Sequence, residues 1–127
     1  MHVGVDIDGT ADLDPSVMGS LMTALRAAGH RVTILTGASA KTPTQQDLEE
    51  KAQYLRSLGQ QACWDDMAVF GDPPHKAKAK WVKANHVDLL IDNSAMNAKK
   101  AARYCTVLVP WNSMIDAPKK IVKDEGT

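Results

Sequence analysis

The stretch Val3-Gly4-Val5-Asp6-Ile7-Asp8-Gly9-Thr10 decides how this chain is read. Residues 3, 5 and 7 are apolar and β-branched, which predicts a buried strand starting almost at the N-terminus. That strand runs into two carboxylates and a glycine turn, a costly place for charge unless charge is needed there. In an open parallel sheet the carboxyl ends of the strands face the ligand crevice, so Asp6 and Asp8 are expected to project into it. Their i, i+2 spacing puts both on one side of the strand exit. Two such side chains can hold a hard cation such as Mg²⁺ and still leave an oxygen free. The bland reading of the same residues is a solvated Asp-Gly turn.

Outward from that stretch, strand-like and helix-like segments alternate, which predicts an α/β fold with a parallel sheet. Asp14-Pro15 reads as an N-cap and first helical residue, followed by an apolar face of Met18, Leu21, Met22, Leu25 and Ala28 that ends at Gly29. Arg31 to Thr36 forms a second strand. Thr42-Pro43 opens a helix with Leu48, Ala52, Leu55 and Leu58 inward, stopped by Gly59. Met67 to Phe70 is a short third strand, and Pro73-Pro74 leads into a helix carrying Ala77, Trp81 and Ala84. Val87 to Ile91 and Cys105 to Val109 are the last two strands, separated by an alanine-rich helix that starts at Ala95. Asp116 to Glu125 is expected to form a final helix. No repeat, low-complexity tract or linker divides residues 1–127, so a single domain is expected.

With 127 residues the chain can bury a core without staples, and its 15 basic and 15 acidic residues leave no global charge for nucleic acid or membrane to read. Cys63 and Cys105 lie far apart without metal-ligand spacing and are expected to be reduced and buried. The apolar runs are strand-sized, so no membrane span is expected and a cytoplasmic location is the default. His2, His30 and His86 lack partner spacing for a metal site. Trp64 and Trp81 read as packing aromatics.

Two further strands end in polar groups. Val32-Thr33-Ile34-Leu35-Thr36-Gly37 ends in a hydroxyl and a glycine turn, where Thr36 and the turn amides of Gly37 can bind phosphoryl oxygens. Leu89-Leu90-Ile91-Asp92-Asn93 ends on an acid placed to meet Asp6, while Asn93 and Ser94 can also cap the next helix. Between them His75-Lys76-Ala77-Lys78-Ala79-Lys80 crowds lysines at a helix start, where the macrodipole favours acids. Lys76, at the site end, is the residue expected to reach a bound anion. Lys78 and Lys83 are assigned to a solvated basic face.

In this order the four signals resemble the haloacid dehalogenase-like phosphohydrolases, whose motifs are a DxDGT strand end, a Thr or Ser strand end, a lysine and a late acidic strand end. The resemblance covers nearly the whole chain. It implies a Rossmann-like three-layer sandwich with a five-stranded parallel sheet of order 5-4-1-2-3 and no cap domain. It further implies Asp6 as nucleophile, Asp8 as general acid, Thr36 and Lys76 on the phosphoryl oxygens, and Mg²⁺ held by Asp6, the main chain of Asp8, and Asp92. Thr10 would orient the turn. Many relatives carry two adjacent acids in the last motif; here Asn93 and Asn97 stand near Asp92, so they act through metal-bound waters or mark a degraded site that only binds.

The resemblance also implies a phosphomonoester substrate. A capless site is open, which suits a nucleic-acid end, or a small substrate closed off by a second copy in a homo-oligomer. Val109-Pro110-Trp111-Asn112 looks like a segment of 5′(3′)-deoxyribonucleotidase relatives and favours a nucleotide monophosphate; the phosphatase half of polynucleotide kinase-phosphatases is also capless. Two other classes stay open: an impaired metal- or nucleotide-binding module, and a receiver-like phosphoacceptor domain built around Asp72.

Overall fold

Five short apolar segments alternating with one-sided helices can bury themselves by pairing into a sheet covered on both faces. The computed structural model, which describes residues 1–110, has this arrangement. The elements are β1 (His2–Val5), α1 (Pro15–Ala27), β2 (Arg31–Gly37), α2 (Gln45–Ser57), β3 (Asp66–Phe70), α3 (His75–Ala84), β4 (Leu89–Ile91), α4 (Ala95–Ala101) and β5 (Thr106–Leu108). Every pairing is parallel, in the order β3-β2-β1-β4-β5. This is the order expected from the sequence, read from the other edge. The receiver alternative fits less well, since that doubly wound fold orders its strands 2-1-3-4-5.

The register explains the two cores. Val3 pairs with Val32 and Leu89, and Val5 with Ile34 and Ile91, so these side chains line one face. Met18 and Met22 of α1 and Leu55 of α2 close over it. Shifted by one residue, Leu35, Phe70 and Leu90 line the opposite face beneath Val82 of α3 and Ala101 of α4. Gly4 sits between the two leucines of that second face: a Cβ there would stand 2.7 Å from Leu35 Cδ1 and 3.2 Å from Leu90 Cδ1. Trp64 packs against the first core and Trp81 against the second, as expected.

Several boundaries differ from the sequence reading for local reasons. β1 stops at Val5, and Ile7 enters a wound turn in which Ala11 N–H donates to Asp6 O and Asp12 N–H to Ile7 O, each at 3.2 Å. Gly9 allows that turn with φ +71°. α2 starts later than Thr42-Pro43, because Thr44 and Asp47 cap each other reciprocally. Cys63 is buried, but Cys105 is half-buried; both are free thiols. The helix expected over Asp116 to Glu125, and Trp111-Asn112, lie outside the described residues. Among the described residues no helix is long and apolar enough to cross a membrane.

The chain builds β1, β2 and β3 outward in one direction and then returns to lay β4 on the other side of β1. The crevice created by that reversal opens between the carboxyl ends of β1 and β4, the place where open α/β sheets receive ligands. The core behind it should respond to truncation by burial: Leu35→Ala, at a fully buried position, is expected to cost about 2–5 kcal/mol. Leu108→Ala, at a half-exposed one, should cost about 0.5 kcal/mol or less in urea unfolding.

Candidate functional site

Asp6 and Asp92 are the residues directly beyond β1 and β4, and the sheet ladder extends to both. Asp6 N–H donates to Ile91 O at 2.9 Å, and Asp92 N–H to Leu108 O at 3.1 Å. Their carboxylates therefore lie on the floor of the crevice with little freedom. Asp6 is 7% exposed and Asp92 0%. Two buried negative charges side by side require a cation, and Lys78 of α3 supplies it. Its Nζ donates to Asp92 Oδ2 at 2.8 Å and to Asp6 Oδ1 at 3.2 Å. Asp92 is further fixed by Asn97 Nδ2 at 3.1 Å on Oδ2 and by Ser94 N–H at 2.9 Å on Oδ1.

Lys78 reaches this position through helix phase. It shares the buried face of α3 with Ala79 and Val82, so its methylene stem packs against the sheet and its ammonium emerges at the carboxylates. Lys76 is exposed, on the other side of the helix. The expected assignment is thus reversed: Lys78, read as solvated, is the cation of the site, and Lys76 is the solvated one. The i+4 apolar partner Val82 is the sequence signal that separates them.

Burial pushes the Asp6 carboxyl up to about 7, and the neighbouring Asp92 charge adds to the rise, while the ammonium of Lys78 opposes it. Asp8, by contrast, is exposed at the mouth. The turn carrying it is pinned at both ends. Gly9 N–H donates to Asp12 Oδ1 at 2.7 Å, and Thr10 Oγ1 donates to Asn93 Oδ1 at 3.2 Å while accepting from Asn93 N–H at 3.2 Å. Thr10, expected to orient the turn, is thus bonded to Asn93 in both directions.

These elements enclose an open cavity of ≈ 680 Å³. Asp6, Asp8, Gly37, Asn93 and Asn97 line it, as does Lys78; Lys51 of α2, Ser39, Asp72 and His75 complete the wall without having been singled out as a group by the sequence. Asp92 lies beneath the surface. Thr36 is fully buried and does not line the cavity; its hydroxyl has no hydrogen-bond partner among the described residues. At Gly37 a Cβ would stand 3.0 Å from Pro74 Cγ, so glycine here lets α3 approach β2 closely. Among the described residues no three acidic, histidine or cysteine side chains stand close enough to hold a metal ion. The ammonium of Lys78 bridges Asp6 and Asp92.

No family model matches the chain, and no curated protein matches it. Solved structures do. A universal stress protein in complex with cAMP superposes with a TM-score of 0.52 at 17% identity, covering 86% of this chain and 94% of that one. A universal stress protein family protein from Arabidopsis thaliana with AMP bound superposes with a TM-score of 0.51 at 13% identity, covering 85% and 89%. These likenesses correct the identification with haloacid dehalogenase-like phosphatases and, with it, the expectation of a Mg²⁺-dependent phosphomonoester hydrolase. The site gives the physical reason. A nucleophilic carboxylate must be ionised, whereas burial raises the Asp6 carboxyl and Lys78 already engages its Oδ1. Asp8, expected as the general acid, is exposed at the mouth rather than buried beside Asp6. What the likenesses establish is the fold.

The shared lysine makes two stability predictions. Lys78→Met leaves two carboxylates buried without their cation and should cost about 3–5 kcal/mol, more than Asp6→Asn, which leaves a one-to-one pair. Because Asp6 titrates at about 7 in the folded chain against 3.8 for an ordinary aspartate, the native state holds more protons between those values. Its contribution to stability must therefore fall as pH rises through that window. The Asp6→Asn variant should lack that decline in unfolding experiments run across the window.

Proposed function

We propose that the chain is a nucleotide-binding module whose crevice takes a mononucleotide. The observation that carries this reading is the cavity of ≈ 680 Å³ at the strand-order reversal of a fold whose solved neighbours hold AMP and cAMP. Volume and position are those of a small-ligand site, and the lining mixes cations with hydroxyl and amide groups.

The charge layout divides the ligand. The floor of Asp6, Asp92 and Lys78 carries two carboxylates against one ammonium, so a phosphate is repelled from its centre unless a proton resides on Asp6. Lys51 and His75 lie on the wall toward α2 and α3. α3 itself begins at His75 without a side-chain cap, which leaves its first amides to an anion. The phosphate is assigned to that wall, and Asp6, the floor carboxylate that lines the cavity, is left to bond a ribose hydroxyl, a role acids play in other doubly wound folds. Mg²⁺ enters only through the ligand: Asp8 and the phosphate would share the ion, with water filling its other positions.

Calorimetric titration with AMP and cAMP, each with Mg²⁺ and with chelator, tests this. Saturable one-to-one binding, weakened by Lys51→Ala, is the expected outcome. Failure of both nucleotides to bind or to raise the unfolding temperature would overturn the reading. Higher affinity in Mg²⁺ than in chelator, lost in Asp8→Asn, would support the shared ion.

A further inference from the structure

One exposed aromatic stands beside the crevice under unusual restraint. Tyr54 on α2 is 41% exposed. Its hydroxyl donates to Asp12 Oδ2 at 2.8 Å, and the other oxygen of Asp12 is taken by Gly9 N–H at 2.7 Å. The ring is thereby tied to the turn that carries Asp8. It lies three residues, one helical turn, from Lys51, which lines the crevice. Asp12 and Asp8 together hold the phenol above its usual range, which places Asp8 within electrostatic reach of it.

An exposed tyrosine on a solvated helix ordinarily turns freely, and core packing gives no reason to hold this one. Fixing it between the Asp8 turn and Lys51 removes beforehand the rotamer entropy that stacking on the ring would otherwise cost. The crevice wall offers little else for a flat apolar group. Among its lining residues, which include Lys51 but not Tyr54, Met96 and Pro74 are the bulky apolar ones, and they lie on the α4 and α3 sides, away from α2, so the Tyr54 ring stands outside the lining, beyond Lys51.

We propose that Tyr54 forms the base subsite of the crevice, its ring face taking the heterocycle of a nucleotide whose phosphate lies on the Lys51 and His75 wall. This rests on the nucleotide-binding reading and names the part of it that distinguishes a nucleotide from any other phosphate ester. Base stacking on an aromatic ring is sequence-tolerant, so the subsite recognises the flat π-face more than the identity of the base.

The test compares AMP with ribose 5-phosphate, which has the phosphate and sugar but no base, on the wild type and two variants. In the wild type AMP should bind more tightly than ribose 5-phosphate. Tyr54→Ala should weaken AMP by about 5- to 100-fold, the range for a single base stack, and leave ribose 5-phosphate unchanged. Tyr54→Phe keeps the ring and loses the bond to Asp12; it should retain most of the AMP affinity. Equal AMP affinity in wild type and Tyr54→Ala overturns the base subsite while leaving the phosphate wall standing. An equal loss of both ligands in Tyr54→Ala, or a loss in Tyr54→Phe as large as in Tyr54→Ala, also overturns it, since Tyr54 would then act through Asp12. Binding of neither ligand to the wild type overturns the nucleotide reading itself, and the subsite with it.

Discussion

The ammonium of Lys78, shared by Asp6 and Asp92, is the contact on which this end of the molecule depends. Asp6 follows β1 and Asp92 follows β4, the two strands on either side of the reversal in strand order, and Lys78 comes from the helix that covers the second face. One side chain thus ties three elements together where the sheet is most open. The pairing is not a source of large net stability, because desolvating three charges offsets most of their attraction. Its consequence is positional: Lys78 cannot leave the floor without exposing two buried carboxylates to each other uncompensated. Asn97 and Ser94 N–H complete the arrangement by saturating the oxygens of Asp92.

Much of the fold was legible because it depends on short-range chemistry. The apolar runs, the caps at Asp14 and Ser94, and the glycines after α1 and α2 each report a local preference that the tertiary structure also requires. Strand order came from the motif resemblance and was correct, although the family it was taken from is not supported. That outcome has a physical basis. Acids at the ends of β1 and β4 meet in any sheet that reverses direction between those strands, so the order of the signals reports topology before it reports chemistry.

The parts that misled depend on facing directions that a linear reading does not resolve. Lys76 and Lys78 are two residues apart in a lysine-rich run, and only the buried phase of Ala79 and Val82 decides which one turns inward. Thr36 ends an apolar strand as a phosphate ligand should, yet it is fully buried and away from the cavity surface. Tyr54 and Lys51 carry no motif at all. Lys51 lines the crevice and Tyr54, one helical turn on, bonds Asp12 of the neighbouring turn because α2 runs past that end of the sheet, a fact of packing that nothing in their neighbours announces.

The same floor also limits what chemistry can occur there. Two carboxylates and one ammonium sum to a single negative charge when all are ionised, so any anion entering the cavity is opposed at its deepest point. Burial relieves that opposition by raising Asp6 to about 7, where a proton can reside on it at little cost. A protonated Asp6 is a hydrogen-bond donor and a poor nucleophile. With that proton the floor of Asp6, Asp92 and Lys78 is neutral overall, and without it the floor carries one net negative charge. That balance of charges follows from the placement of one lysine between two strand ends.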